Sequence, residues 1–80
     1  MSAVVEPTLN FRPICEDDLT QVIDVETRAY QFPWSKNIFH DCLRVGYDCW
    51  LLEEFDNIIG YGVMMIAAGE CHILNLCVDP

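Results

Sequence analysis

Apolar and polar positions alternate from Leu9 to Ile14, with Leu9, Phe11 and Pro13 on one face, which predicts a short strand. Pro13 has no N–H to give to a ladder, so the strand belongs at a sheet edge. The period then lengthens. Cys15-Glu16-Asp17-Asp18 loads carboxylates into a first helical turn, where the helix dipole favours them. Leu19, Val22, Ile23, Ala29 and Tyr30 recur at helical spacing, with Asp24, Thr27 and Arg28 outward, predicting a helix of about fifteen residues. Pro33 drives Phe32 out of the helical region. Ser35 is a good N-cap for a second helix, Lys36 to Val45, whose apolar face is Phe39, Cys42 and Leu43 and which Gly46 ends. Three strands follow: Tyr47 to Glu54, Ile58 to Ala67 and Glu70 to Val78, separated by turns at Phe55-Asp56-Asn57 and Ala68-Gly69. Asp79-Pro80 is a further turn signal. Strand, helix, helix and a three-strand antiparallel meander make an α+β layer, with both helices free to cover one face.

Eighty residues support one domain, and 52% hydrophobic content excludes a disordered class. Residues 1–8 form an N-terminal tail and the domain runs from 9 to 80. No apolar run approaches the ~20 residues of a membrane span, and the N-terminus lacks the basic and apolar regions of a signal peptide. A cytoplasmic protein with no membrane partner is therefore expected. Four basic residues against thirteen acidic ones give a net charge of −9. Nucleic acid, whose phosphates need clustered Lys and Arg, is not an expected partner, whereas a cationic amine or basic peptide suits the charge.

The five cysteines, at 15, 42, 49, 71 and 77, show no Cys-x-x-Cys pair and an odd count. Neither a disulfide framework nor a metal site is expected, and the strand cysteines are read as small buried hydrophobes. His40 and His72 are each alone in sequence and are not read as a base or ligands. Glu26 and Tyr30, four apart on one helix, share a face; a base and acid pair is one reading, a solvated flank beside a core aromatic the favoured one. Gly60 and Gly62, two apart on one strand face, mark either close approach of a ligand or backbone, or accommodation of the helix layer.

Three segments carry a resemblance to a known family. Phe11-Arg12-Pro13 before an acidic helix start resembles the first strand of the GCN5-related N-acetyltransferases. Glu26-Thr27-Arg28-Ala29-Tyr30-Gln31-Phe32-Pro33-Trp34-Ser35 is similar to the segment linking the first two helices in the RimI type, the ribosomal-protein-alanine N-acetyltransferases. Leu74-Asn75-Leu76-Cys77-Val78-Asp79-Pro80 resembles the fourth strand of that type. The resemblance covers nearly all of the chain from about Leu9 and implies the N-terminal part of the fold, a partial acetyltransferase domain ending after the fourth strand.

What this resemblance implies is transfer of an acetyl group from acetyl-CoA, as co-substrate, to the α-amine of a protein N-terminus or another small amine. The family's fourth strand bulges, its backbone holds the pantetheine arm, and an amide N–H polarises the thioester carbonyl. Those positions here are Leu76, Cys77 and Val78. Phe32, Pro33 and Trp34 fall in the loop that contacts the acceptor in that family; wedging of Phe32 and Trp34 between the helices and the sheet is the other reading, and the two are compatible. A covalent acyl route through Cys77 is not expected, because its neighbours are apolar. The family's Arg/Gln-x-x-Gly-x-Gly/Ala pyrophosphate turn and its Glu base and Tyr acid lie further along the fold, so no catalytic residue is assigned. The 80-residue chain alone is expected to be inactive. An interaction module is the alternative, with the apolar strand Ile73 to Val78 open to a homodimer.

Overall fold

The computed structural model describes residues 9–79; the N-terminal tail and Pro80 lie outside them. The chain runs β1 (Leu9–Pro13), a 3-10 turn (Glu16–Asp18), α1 (Leu19–Ala29), α2 (Lys36–Val45), β2 (Asp48–Glu54), β3 (Asn57–Ala67) and β4 (Glu70–Val78). The four strands form one antiparallel sheet in the order β1-β2-β3-β4. The α+β architecture expected from the pattern is the one observed, with β1 at an edge where Pro13 costs no ladder bond.

Local chemistry sets the ends of the helices. The acidic residues before α1 form the separate 3-10 turn. The Asp18 carboxylate accepts from the Cys15 N–H at 2.9 Å and from both Nη groups of Arg12 at 2.8 and 2.7 Å. Glu53 joins through Arg12 Nε at 3.2 Å, tying β1 to β2 and to the start of α1. At α2 the Ser35 hydroxyl accepts from the Ile38 N–H, and Gly46 closes the helix at φ +85°. That is the left-handed cap that glycine adopts without cost. Both hairpins turn through two residues of positive φ, Phe55 and Asp56, then Ala68 and Gly69, matching the twist of the strands they join.

The two helices cover one face of the sheet. Leu19, Val22 and Val25 of α1 and Phe39 and Cys42 of α2 bury against Leu51, Tyr61, Val63 and Cys77. Phe39 meets the rings of Trp34 and Tyr61 edge-on at 5.2 and 5.7 Å. The opposite face is bare and apolar. A shallow groove of about 320 Å³ runs over it, lined by Phe11, Trp50, Met64, Leu76 and Val78 and floored by Gly60 and Gly62. The glycine pair therefore lies away from the helices and does not accommodate them. A Cβ at Gly60 would stand 3.1 Å from the Cys77 carbonyl oxygen, so Gly60 marks a close approach of backbone, whereas one at Gly62 would first meet the Leu76 side chain.

The thiols divide. Cys42, Cys49 and Cys77 are buried as expected of small hydrophobes, and burial pushes the Cys49 thiol up to about 11. Cys15 and Cys71 are exposed, which corrects the reading of Cys71 as buried: it lies in the first half of β4, where every side chain is exposed. His40 pairs with Glu16 at 2.5 Å and His72 with Glu70 at 3.2 Å, all on the surface. Among the described residues no helix is long and apolar enough to cross a membrane. Among the same residues no three His, Cys, Asp or Glu side chains gather as a metal site.

Candidate active site

The helical spacing that gives α1 its buried stripe carries Glu26 inward with Val22 and Val25. Glu26 is only 1% exposed. The sequence reading of a solvated flank is therefore wrong, because the charged end finds partners instead of water. Its Oε1 accepts from the Tyr61 hydroxyl at 2.5 Å and the Asn75 amide at 3.0 Å, and its Oε2 accepts from the Trp34 N–H at 2.8 Å. One carboxylate thus joins α1, β3, β4 and the loop between the helices. Burial and the bond to Glu26 hold the Tyr61 phenol far above its ordinary value, so Tyr61 stays protonated and donates to the carboxylate.

Tyr30, expected in the core, stands at the surface instead. The chain leaves α1 at Tyr30 in an extended conformation, which swings the ring out toward β4. Its hydroxyl donates to the Leu76 carbonyl at 2.8 Å and lies 3.2 Å from Asn75 Oδ1. Burial raises its pKa above the usual phenol value. Glu26 and Tyr30 do meet around one site, joined through the Tyr30 N–H, which donates to the Glu26 carbonyl at 3.1 Å, while their side chains bond to other partners.

That site is an open cavity of about 350 Å³ lined by Glu26, Tyr30, Phe32, Trp34, Asn75 and Leu76, with Ile73 and Leu74 at its rim. Of the three loop residues singled out in the sequence, Phe32 projects into solvent at 85% exposure, while Trp34 both lines the cavity and packs on Phe39. Pro33 is not part of the lining and acts by ending the helical path.

β4 carries the second half of the site. Its register against β3 slips between Val63 and Met64, where Asn75 and Ile73 are the partners and Leu74 is the extra residue of a bulge. Beyond the bulge the pairing is regular, Tyr61 with Cys77 and Gly60 with Val78. The Asp79 N–H donates to the Ile59 carbonyl at 2.7 Å. Successive residues of an antiparallel strand turn their main-chain groups to opposite sides. Asn75, Cys77 and Asp79 therefore pair inward with β3, and Leu76 and Val78 present their N–H groups outward. The Tyr30 bond to the Leu76 carbonyl fits this alternation. Cys77, buried and paired to β3, lies out of line with its two neighbours: its thiol sits in the core and its main chain is already used.

No protein-family model matches the sequence. The ribosomal protein bS18-alanine N-acetyltransferase of Haemophilus ducreyi is 31% identical over 67 residues, 84% of this chain and 46% of that protein. A Bacillus subtilis protein provisionally given the same activity is 29% identical over 66 residues, 80% of this chain and 44% of its own. The crystal structure of the Escherichia coli ribosomal-protein-S18-alanine N-acetyltransferase superposes with a TM-score of 0.82 at 24% identity, over 90% of this chain and 46% of that one. An acetyltransferase provisionally assigned in Pyrococcus horikoshii gives 0.77 at 21%, over 99% and 30%. At such identities the solved structures speak for the fold. The chain spans less than half the length of the curated relatives it matches.

A strand, two helices and an antiparallel meander constitute the N-terminal part of the GCN5-related N-acetyltransferase fold. Within that class the curated relatives narrow the likeness to the RimI type, and the chain is similar to the N-terminal part of a ribosomal-protein-alanine N-acetyltransferase.

Proposed function

We propose that this chain forms the acceptor side and acetyl-holding strand of an acetyl-CoA-dependent N-acetyltransferase acting on the α-amine of a protein N-terminus. The observation that carries the reading is the cavity at Glu26, Tyr30 and Trp34 opening directly beside Leu76, whose N–H faces outward on the edge of β4. The acetyl thioester lies along that edge, with the outward N–H of Leu76 or Val78 donating to its carbonyl oxygen. Such a donor stabilises the negative charge that grows on the oxygen in the transition state. An α-amine, with a pKa of about 8, sheds its proton before it attacks. Its nitrogen then bonds to the carbonyl carbon, the carbon–sulfur bond breaks, and the CoA thiolate leaves and takes up a proton. A net charge of −9 draws cationic acceptors toward the chain. The five free thiols suit a reducing compartment such as the cytoplasm.

The test joins this sequence to the part of the Haemophilus ducreyi relative that lies beyond the match and supplies acetyl-CoA. The expected product is an acetylated peptide beginning with alanine, read by mass spectrometry. Acetylation of a polyamine or aminoglycoside but of no peptide would reassign the acceptor to a small amine.

One observation favours a second reading, an association of copies through β4. Ile73, Leu76 and Val78 leave their side chains largely exposed on the bare face, and burying them against a second chain would stabilise both. Molecular mass in solution across concentrations decides it, and a monomer throughout removes the dimer.

A further inference from the structure

The last turn of α1 grips the end of β4 at two points. Arg28 donates from Nη1 to Asp79 Oδ1 at 2.7 Å and from Nη2 to Asp79 Oδ2 at 3.1 Å, a two-pronged contact that only a planar guanidinium makes. Its Nε donates to Asp24 Oδ2 at 3.3 Å, one helical turn back, which fixes the side chain in that direction. Two residues on, the Tyr30 hydroxyl holds the Leu76 carbonyl. Between these grips lies the outward N–H of Val78, and the outward N–H of Leu76 stands on the same residue as the carbonyl that Tyr30 holds. On its other side β4 is held by β3 alone, through pairs such as Asp79 to Ile59.

A strand end held from one side frays, and an amide that frays is a poor electrostatic donor because its direction is not set in advance. We propose that Arg28 and Asp79 are positioning residues, which together with Tyr30 brace β4 so that the Leu76 and Val78 N–H groups keep a fixed aim at a bound acetyl thioester. The assignment rests on the function proposed above for its ligand, but the brace itself does not. The contact with Arg28 holds the Asp79 carboxyl below its ordinary range, so the pair is charged on both sides at neutral pH.

The brace acts locally. Neither Arg28 nor Asp79 is part of the buried core, so breaking the pair loosens the strand end without unfolding the sheet. Lysine at 28 keeps the charge but not the fork and restores only part of the hold.

The experiment is amide hydrogen exchange by NMR on the 80-residue chain, combined with a titration by S-acetylpantetheine, which carries the thioester and no pyrophosphate. Arg28→Met, Asp79→Asn, their double variant and Arg28→Lys are compared with the parent. Each neutral variant is expected to raise exchange at the Cys77 and Asp79 amides about two- to fivefold, the scale of an exposed ion pair. The double variant should equal the singles, since one interaction is lost once, and Arg28→Lys should fall between. Exchange at Leu51 and Val63 should not change. Affinity for S-acetylpantetheine should weaken by a similar factor at an unchanged urea midpoint, a split that a merely structural pair would not give. Unchanged exchange at Cys77 and Asp79, or an equal rise at Leu51 and Val63, overturns the brace. A brace that behaves as expected in a chain whose Leu76 and Val78 amides ignore S-acetylpantetheine overturns the positioning role and the acetyl-holding edge, and leaves the ion pair as a strand clamp.

Discussion

A single carboxylate organises the cavity between α1, β4 and the loop that joins the helices. Glu26 accepts three hydrogen bonds from three separate parts of the chain, and removing it strands buried donors at Tyr61 and Asn75. Each unsatisfied buried donor costs about 1–3 kcal/mol, so Glu26→Ala should lower the urea midpoint markedly. Glu26→Gln is subtler. Its oxygen can still serve Tyr61 and Asn75, but its amide nitrogen then faces the Trp34 N–H, donor against donor. The expected result is a smaller loss of stability with a red-shifted Trp34 emission as the loop loosens. An unshifted spectrum would mean that Glu26 does not hold the loop. Half of this was legible in sequence: the spacing put Glu26 and Tyr30 on one helix face, but apart from Trp34 the side chains that Glu26 meets are 35 and 49 residues away, beyond any helical or strand period. A buried Glu on an otherwise apolar stripe was the available signal.

At the same scale, the Arg12 pair holds the Asp18 carboxyl well below its ordinary 3.8. The unfolded chain therefore binds the proton more tightly than the folded one. The stabilisation is complete above about pH 4 and is lost as pH falls through that value toward the lower, folded one. Asp18→Asn should flatten the acid limb of a stability curve between about pH 4 and 2, where the parent falls. An acid limb identical in both would exclude the pair as its source.

Strands and helices were the most legible level. Ser35 and Gly46 act as the caps their chemistry predicts, and both hairpins fall at the predicted turns, although Asn57 opens β3 and does not sit in its turn. What the residues could not show is which face each element buries. The glycines are the clearest instance: their spacing announced a shared face, and only the sheet's register shows that the face looks away from the helices and that a backbone is what comes near. Gly60→Ala should therefore cost about 1–3 kcal/mol by pressing on the Cys77 carbonyl. Gly62→Ala, whose Cβ would meet the movable end of Leu76 at 3.4 Å and the Asn75 carbonyl at an ordinary 3.8 Å, should cost less. Thermal melts of both variants check the order, and equal losses would refute the close approach. The bulge at Leu74 is likewise silent in the residues, because a bulge is a mismatch between two strands and no property of one. It entered the expectation only through the likeness of Leu74 to Pro80 to a known fourth strand.

The molecule as a whole has one dressed face and one bare one. The helices, the buried core and the Glu26 junction lie together on the first, and the cavity opens where that layer meets the outer edge of β4. The second offers a different and wholly apolar groove, at Phe11, Trp50 and Met64. The functional reading places acetyl donor and amine acceptor at the dressed face and edge, leaving the bare groove uninvolved. An NMR titration of the isotope-labelled chain, first with S-acetylpantetheine and then with a peptide beginning with alanine, puts that directly to the test. The account predicts amide shifts at Leu76 and Val78 with the first ligand and at Tyr30 and the Trp34 indole with the second, while Cys77, paired to Tyr61, moves least. Shifts gathered at Phe11, Trp50 and Met64, with Leu76 and Val78 still, would contradict it.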